Sequence, residues 1–203
     1  MSEPEPSSPA TLRGLSELPS APARFAESTL VVIDCQNTYT GGPLELDGVE
    51  AALDHAAGLL RRARTAGIPV VHVRHDDGAG SLFDIRGETG AIVERVAPHD
   101  DEPVITKSYP NAFVDTDLRE RLTEAGNTNL IMVGFMTHMC VNSTARAAFN
   151  LGYASTVVAA ATATRALPGP TGTLAAATIQ AASLAAINDL FGIVVPDHSA
   201  IPD

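Results

Sequence analysis

Hydrophobic and polar positions along the chain follow two alternating periods. A short continuous apolar run at 30–33 is expected of a buried parallel strand, and further strands are predicted at 69–73, 104–106, 130–133, 155–159 and 193–195. Between them, the segments 49–66, 115–125, 140–151 and 172–190 carry apolar residues at helical spacing. The first of these stops at Gly67, a residue suited to a left-handed helix end. Strands alternating with helices predict an α/β fold, a three-layer doubly wound sandwich around a mainly parallel sheet of about six strands. Such sheets bind ligands at the carboxyl ends of their strands, near the point where strand order reverses.

Two stretches fall outside the alternation. Residues 1–26 are rich in Pro, Ser, Glu and Ala, which predicts a flexible or loosely docked tail ahead of a single domain at 27–203. Residues 76–98 contain Gly78, Gly80, Gly87 and Gly90 with little patterning, and they predict a long surface excursion of the kind that is more often functional than idle.

Composition narrows the partners. A chain of 203 residues with 45% hydrophobic side chains has material for one substantial core. Its formal net charge of −11 repels phosphate backbones and anionic lipid head groups, so neither nucleic acid nor membrane is an expected partner. No apolar run approaches the ~20 residues needed to cross a bilayer, and no basic region followed by an apolar stretch opens the chain. A cytoplasmic protein acting on a small molecule is the expectation. Cys35 and Cys140 are too few for a disulfide framework or a four-cysteine zinc site, so each is judged as a single thiol. Lys107 is the one lysine among 13 basic residues. An ammonium is a compact charge that fits beside a small reacting centre, whereas a guanidinium is a planar fork.

Candidate chemistry follows from strand ends. Asp34 comes after the first strand, Lys107 after the third, and Cys140 after the fourth, at the start of a helix. Each has a bland reading alone, as a loop aspartate, a solvated lysine and a buried thiol. Together they supply a carboxylate base, a positive charge and a nucleophile on one edge of the sheet. Unpaired N–H groups at a helix N-terminus favour a thiolate, so the Cys140 pKa is expected to be depressed, or its proton passed to Asp34. Gly134 permits a sharp turn, and the segment from Gly134 to Cys140 has the form of a nucleophile loop whose amides suit an oxyanion hole.

The blocks Val32-Ile-Asp34-Cys-Gln36-Asn37, Thr106-Lys107 and Gly134-Phe-Met-Thr137-His-Met-Cys140-Val141, followed by Ser143-Thr-Ala-Arg146, resemble the isochorismatase-like cysteine hydrolase superfamily. The resemblance runs from about residue 30 to 195 with the blocks in family order. It implies a triad of Asp34, Lys107 and Cys140, a non-proline cis peptide at Phe135 to Met136, and an oxyanion hole formed by the amides of Met136 and Cys140. It also implies a homodimer or homotetramer, for which the Ala-rich segment 172–190 offers a packing face. Nicotinamidases of the superfamily bind a metal through an Asp and His cluster. The matching Asp-x-His element is absent here, where Gly41-Gly-Pro-Leu-Glu-Leu-Asp47 stands, so no metal or other cofactor is expected and His72 and His75 are read as structural.

Other residues have narrower readings. Cys35 is expected in the core, because successive strand side chains point to opposite faces. His138 lies two residues from Cys140 on the turn, where substrate lining suits it better than a pairing with the sulfur. Gln36, Tyr39 and Phe113 are substrate-pocket candidates by proximity to the motifs. The reaction expected is hydrolysis of a C–N bond in a small amide, carbamoyl or lactam compound through a thioester. The alternatives are vinyl-ether hydrolysis of the isochorismatase type, which the resemblance associates with members lacking the cysteine, and a catalytically silent binding protein of the same fold. A nucleotide-binding redox domain is excluded by the lack of a glycine-rich phosphate loop after the first strand.

Overall fold

A computed structural model describes residues 9–99 and 101–203. Its elements run α1 (Leu12–Leu15), β1 (Ser28–Ile33), α2 (Val49–Ala66), β2 (Val70–His75), β3 (Val104–Lys107), α3 (Leu118–Ala125), β4 (Asn129–Phe135), α4 (Asn142–Asn150), β5 (Ala154–Ala163), β6 (Leu167–Gly169), β7 (Gly172–Leu174), α5 (Ala176–Ala186) and β8 (Ile193–Val195). Six strands form one sheet in the order β3-β2-β1-β4-β5-β8, and every pairing in it is parallel. The chain builds outward from β1 to β3 and then returns to the other side of β1, so strand order reverses between β1 and β4. Their carboxyl ends flank the crevice where ligands bind in such sheets.

Burial explains the layers. Every residue of β1 is buried, and alternation sends Leu30 and Val32 to one face and Val31 and Ile33 to the other. The first pair packs on the apolar stripe of α2, including Ala52, Leu53, Ala56 and Leu60. The second pair shares a cluster with Leu118 and Leu122 of α3 and Ala145 and Ala148 of α4. Small residues at those α4 positions let the helix lie close to the sheet. Helix α2 ends at Gly67, whose φ of +68° is the left-handed conformation expected of a C-terminal glycine. Among the described residues, no helix is long and apolar enough to cross a membrane.

The structure departs from the sequence expectation in two places. The helix expected over 172–190 begins only at Ala176, because Leu167 to Leu174 forms a small antiparallel hairpin of β6 and β7 whose glycine-containing turn reverses the chain. The helix expected from Cys140 is preceded by a π-helical turn, Thr137–Val141, that holds the cysteine before α4 begins. The N-terminal stretch, residues 1–26, is expected as a flexible or loosely docked tail. Residues 1–8 lie outside the described residues, but 9–26 make defined contacts. The Leu12 N–H donates to Asp189 Oδ1 at 2.8 Å, the Arg13 guanidinium donates to the Leu190 carbonyl at 2.8 Å, and Phe25 is buried in the core beneath Arg62. Phe25 is a single aromatic in a polar stretch, so periodicity carries no sign of its burial.

Candidate active site

Asp34 leaves β1 with φ +49°, a left-handed conformation that aspartate tolerates better than most residues. This turn directs its carboxylate along the carboxyl edge of the sheet. On the neighbouring strand, Gly134 has φ +114°, and a Cβ there would overlap the Ile33 carbonyl oxygen, so only glycine allows β4 to approach β1 at this point. The next peptide, Phe135–Met136, is cis. The Met136 carbonyl then accepts the amides of Met139 at 3.0 Å and Val141 at 3.2 Å, which closes the turn around Cys140. Thr137 Oγ1 donates to the Ala163 carbonyl at 3.0 Å and ties that turn to the end of β5.

Lys107 ends β3, which is two strands from β1. With neighbouring strands ~4.8 Å apart, the gap is about 10 Å, and a long side chain is required to bridge it over the end of β2. Lys107 Nζ reaches Asp34 Oδ2 at 2.7 Å and donates to Cys140 Sγ at 3.4 Å. The three residues therefore converge, and they are enclosed: Asp34 is 0% exposed, Lys107 1% and Cys140 5%.

That enclosure corrects the expected electrostatics of Cys140. Burial pushes the thiol pKa up, the Asp34 charge adds to the rise, and the Lys107 ammonium only partly opposes it. Burial therefore favours the neutral thiol over the thiolate, opposite to the direction a helix terminus alone would give. Burial also raises the Asp34 carboxyl above its ordinary range, against the pull of Lys107. A base with a raised pKa is better matched to taking a proton from a thiol.

Among the other candidates, Tyr39 is buried beside the site with its ring edge-on to Phe83 at 5.7 Å and Phe135 at 5.8 Å, and burial holds its phenol neutral. Phe83 comes from the 76–98 excursion and also meets the His75 ring at 4.9 Å. His138 is half-buried and lies 2.6 Å from Thr164 Oγ1 through Nδ1, so its ring turns toward the end of β5. Burial, reinforced by Arg165, lowers its pKa.

Two pocket candidates make contacts of their own. The Gln36 amide is fully engaged by backbone: its Nε2 donates to the carbonyls of His75 at 2.9 Å and Gly90 at 2.7 Å, and its Oε1 accepts the His75 N–H at 2.8 Å. It ties the first loop to β2 and to the excursion. Phe113 stacks on Tyr153, just ahead of β5, and packs on the cluster that includes Cys140 and Val141. Cys35 is buried as expected, and burial raises its pKa.

The two histidines of β2 separate. His72 bonds through Nε2 to Glu102 Oε2 at 2.9 Å near the start of β3, where it is structural. His75 lies at the carboxyl end with Nδ1 3.1 Å from Lys107 Nζ, a contact missed in the sequence. Its place at a strand end, as for Asp34 and Lys107, was the available signal. Among the described residues, no three His, Cys, Asp or Glu side chains stand close enough to hold a metal.

The isochorismatase domain profile matches residues 28–197, which span all six strands of the sheet. This chain belongs to the isochorismatase family of hydrolases. Within that family it is 35% identical to the secreted isochorismatase effector Isc1 of Verticillium dahliae, over 91% of this chain and 96% of that protein. It is 32% identical to a streptothricin hydrolase of Streptomyces noursei, over 97% of this chain and 80% of that protein. A crystal structure described as an isochorismatase from Pseudomonas putida KT2440 superposes with a TM-score of 0.92 at 40% identity, covering 94% of this chain and 98% of the other. The fold of this isochorismatase-family chain is thus that of its solved relatives.

Proposed function

We propose that this isochorismatase-family protein is a cysteine hydrolase that cleaves a C–N bond of a small amide, carbamoyl or lactam substrate through a thioester. The observation that carries the reading is the enclosed trio in which the Lys107 ammonium contacts both the Asp34 carboxylate and the Cys140 sulfur. Asp34 takes the thiol proton as Cys140 Sγ attacks the carbonyl carbon, and the amides of Met136 and Cys140 stabilise the oxyanion. The C–N bond then breaks as Asp34 gives that proton to the leaving nitrogen. A water molecule, its proton taken by Asp34, attacks the thioester, releasing the acid and returning the thiol. Lys107 opposes the burial that raises the Asp34 carboxyl and favours charge on sulfur as attack proceeds. Tyr39 and His138 line the substrate space. The name of the streptothricin hydrolase relative supports the amide and lactam class, and the free thiols of Cys35 and Cys140 suit the reducing cytoplasm.

The name of the Verticillium relative favours a second reading, vinyl-ether hydrolysis, which needs no adduct on sulfur. Acid quenching during turnover of an amide or lactam substrate separates the two. The expected result is an acyl group on the peptide containing Cys140, abolished in Asp34→Asn. Because Asp34 must be ionised to act and burial raises its pKa, kcat/KM falls on acidification at a pH above the ordinary carboxylate value of about 4. Turnover with unmodified Cys140 at every quench time would favour the vinyl-ether route.

We also propose that the protein forms a homodimer or homotetramer through α5 and the β6–β7 hairpin. Residues 166–188 carry no charged side chain in a chain of net charge −11, so two copies can meet there without repulsion. Ala177, Ala181 and Ala185 form an exposed stripe on α5, and Leu174 of the hairpin is 39% exposed. Sedimentation velocity at micromolar concentration is expected to show a dimer or larger species, and a monomer would refute the assembly.

A further inference from the structure

The hydrogens of Lys107 can be counted. A lysine ammonium has three N–H donors and no acceptor. Lys107 Nζ has two hydrogen-bond partners, His75 Nδ1 at 3.1 Å and Cys140 Sγ at 3.4 Å, and stands in ion-pair contact with Asp34 Oδ2 at 2.7 Å. Because lysine only donates, His75 Nδ1 is the acceptor, and the proton of the neutral ring belongs on Nε2. The other side of the ring agrees: Nε2 lies 2.8 Å from Asp77 Oδ1, and a carboxylate only accepts. Both neighbours thus select the same tautomer. The ring is held by Gln36, which binds the His75 backbone through both its N–H and its carbonyl, and by Phe83, which meets it edge-on.

We propose that His75 is a positioning residue of the active site: its Nδ1 accepts one ammonium hydrogen of Lys107 and so holds the ammonium beside Asp34 with a second hydrogen aimed at Cys140, while Asp77 fixes the tautomer. Without this acceptor a buried N–H has no partner, and Lys107 relieves that by rotating away from the sulfur, the longest of its three contacts. The proposal rests on the cysteine-hydrolase reading, because it matters for catalysis only if Cys140 is the nucleophile.

The test reads Cys140 without requiring the natural substrate. Alkylation of Cys140 by iodoacetamide at pH 8, followed by peptide mass spectrometry, is compared in wild type, His75→Leu, His75→Asn and Asp77→Ala. Leucine removes the acceptor, whereas asparagine places its Oδ1 close to the position of Nδ1. His75→Leu is expected to slow alkylation about tenfold, the scale of one lost hydrogen bond to a charged group, and His75→Asn to recover to within about threefold of wild type. Equal rates in wild type and His75→Leu would overturn the proposal. So would equal slowing in both His75 variants, since that is the signature of lost packing. Should His75→Leu fail to fold, Asp77→Ala decides, because the Asp77 side chain is 50% exposed and its removal leaves the core intact. Slower alkylation in that variant supports the proposal and an unchanged rate overturns it. Failure of the cysteine-hydrolase reading would appear separately, as turnover retained in Cys140→Ala, and would leave the alkylation series unaltered.

Discussion

Cys140→Ala is expected to lower turnover of an amide or lactam substrate by a factor on the order of 10⁴ or more while leaving the fold intact. The asymmetry follows from where the sulfur sits. It is a small buried group at a turn that is already held by the bonds from Met139 and Val141 to the Met136 carbonyl and by the tie from Thr137 to Ala163. Its loss removes only a few contacts, which costs about 1 kcal/mol in a packed site that relaxes little. On the proposed mechanism the catalytic loss is large, because Asp34 then has no thiol to deprotonate and Lys107 no sulfur to stabilise. Steady-state assay of released amine, together with thermal unfolding of the same samples, checks both halves. Near wild-type turnover in Cys140→Ala would make the sulfur a bystander, and Asp34 acting alone as a general acid would have to replace the covalent route.

Gly134→Ala has the largest expected effect on stability, although it adds a single methyl group. The position has φ +114°, where an L side chain is strained, and the added Cβ would overlap the Ile33 carbonyl oxygen. A flexible side chain could move aside, but this neighbour is the backbone of the central strand. Strands β1 and β4 must separate at their carboxyl ends, between Asp34 on one and the Cys140 turn on the other. A loss of about 4 kcal/mol or more is expected, in the range reserved for mutations that force a backbone to move. Denaturant unfolding measures it. If some protein still folds, its activity should be lost as well, because widening this gap moves the nucleophile away from its base. A stability within about 1 kcal/mol of wild type would show that the strands separate here at little cost.

Legibility in the sequence varied with the kind of question. Apolar-rich segments identified the strands because a parallel sheet is covered on both faces, most clearly at the central β1, whereas the edge strand β3 leaves Thr106 exposed. Sheet order was less accessible, since the pairing of β1 with β4 depends on contacts across about 100 residues. The hairpin at 167–174 escaped because an Ala-rich stretch suits a helix until a glycine-containing turn interrupts it. Within the site, strand-end logic brought Asp34, Lys107 and Cys140 to one edge, since in a parallel sheet all strand ends of one kind share that edge.

What the sequence by itself determined was therefore the set of elements, the edge on which the chemistry gathers, and the family motif. Period and residue type are local properties, and every residue carries them in the unfolded chain. Only the tertiary structure decided which groups share hydrogen bonds and how deeply each is buried. Gln36 looked like a pocket residue until its amide was seen bound to the backbone of His75 and Gly90. His75 looked structural until Lys107, reaching over β2 from β3, came within 3.1 Å of its ring. The direction of the Cys140 shift reversed for the same reason: a helix terminus is visible in sequence, whereas the desolvation that outweighs it depends on how closely the rest of the chain packs around the sulfur.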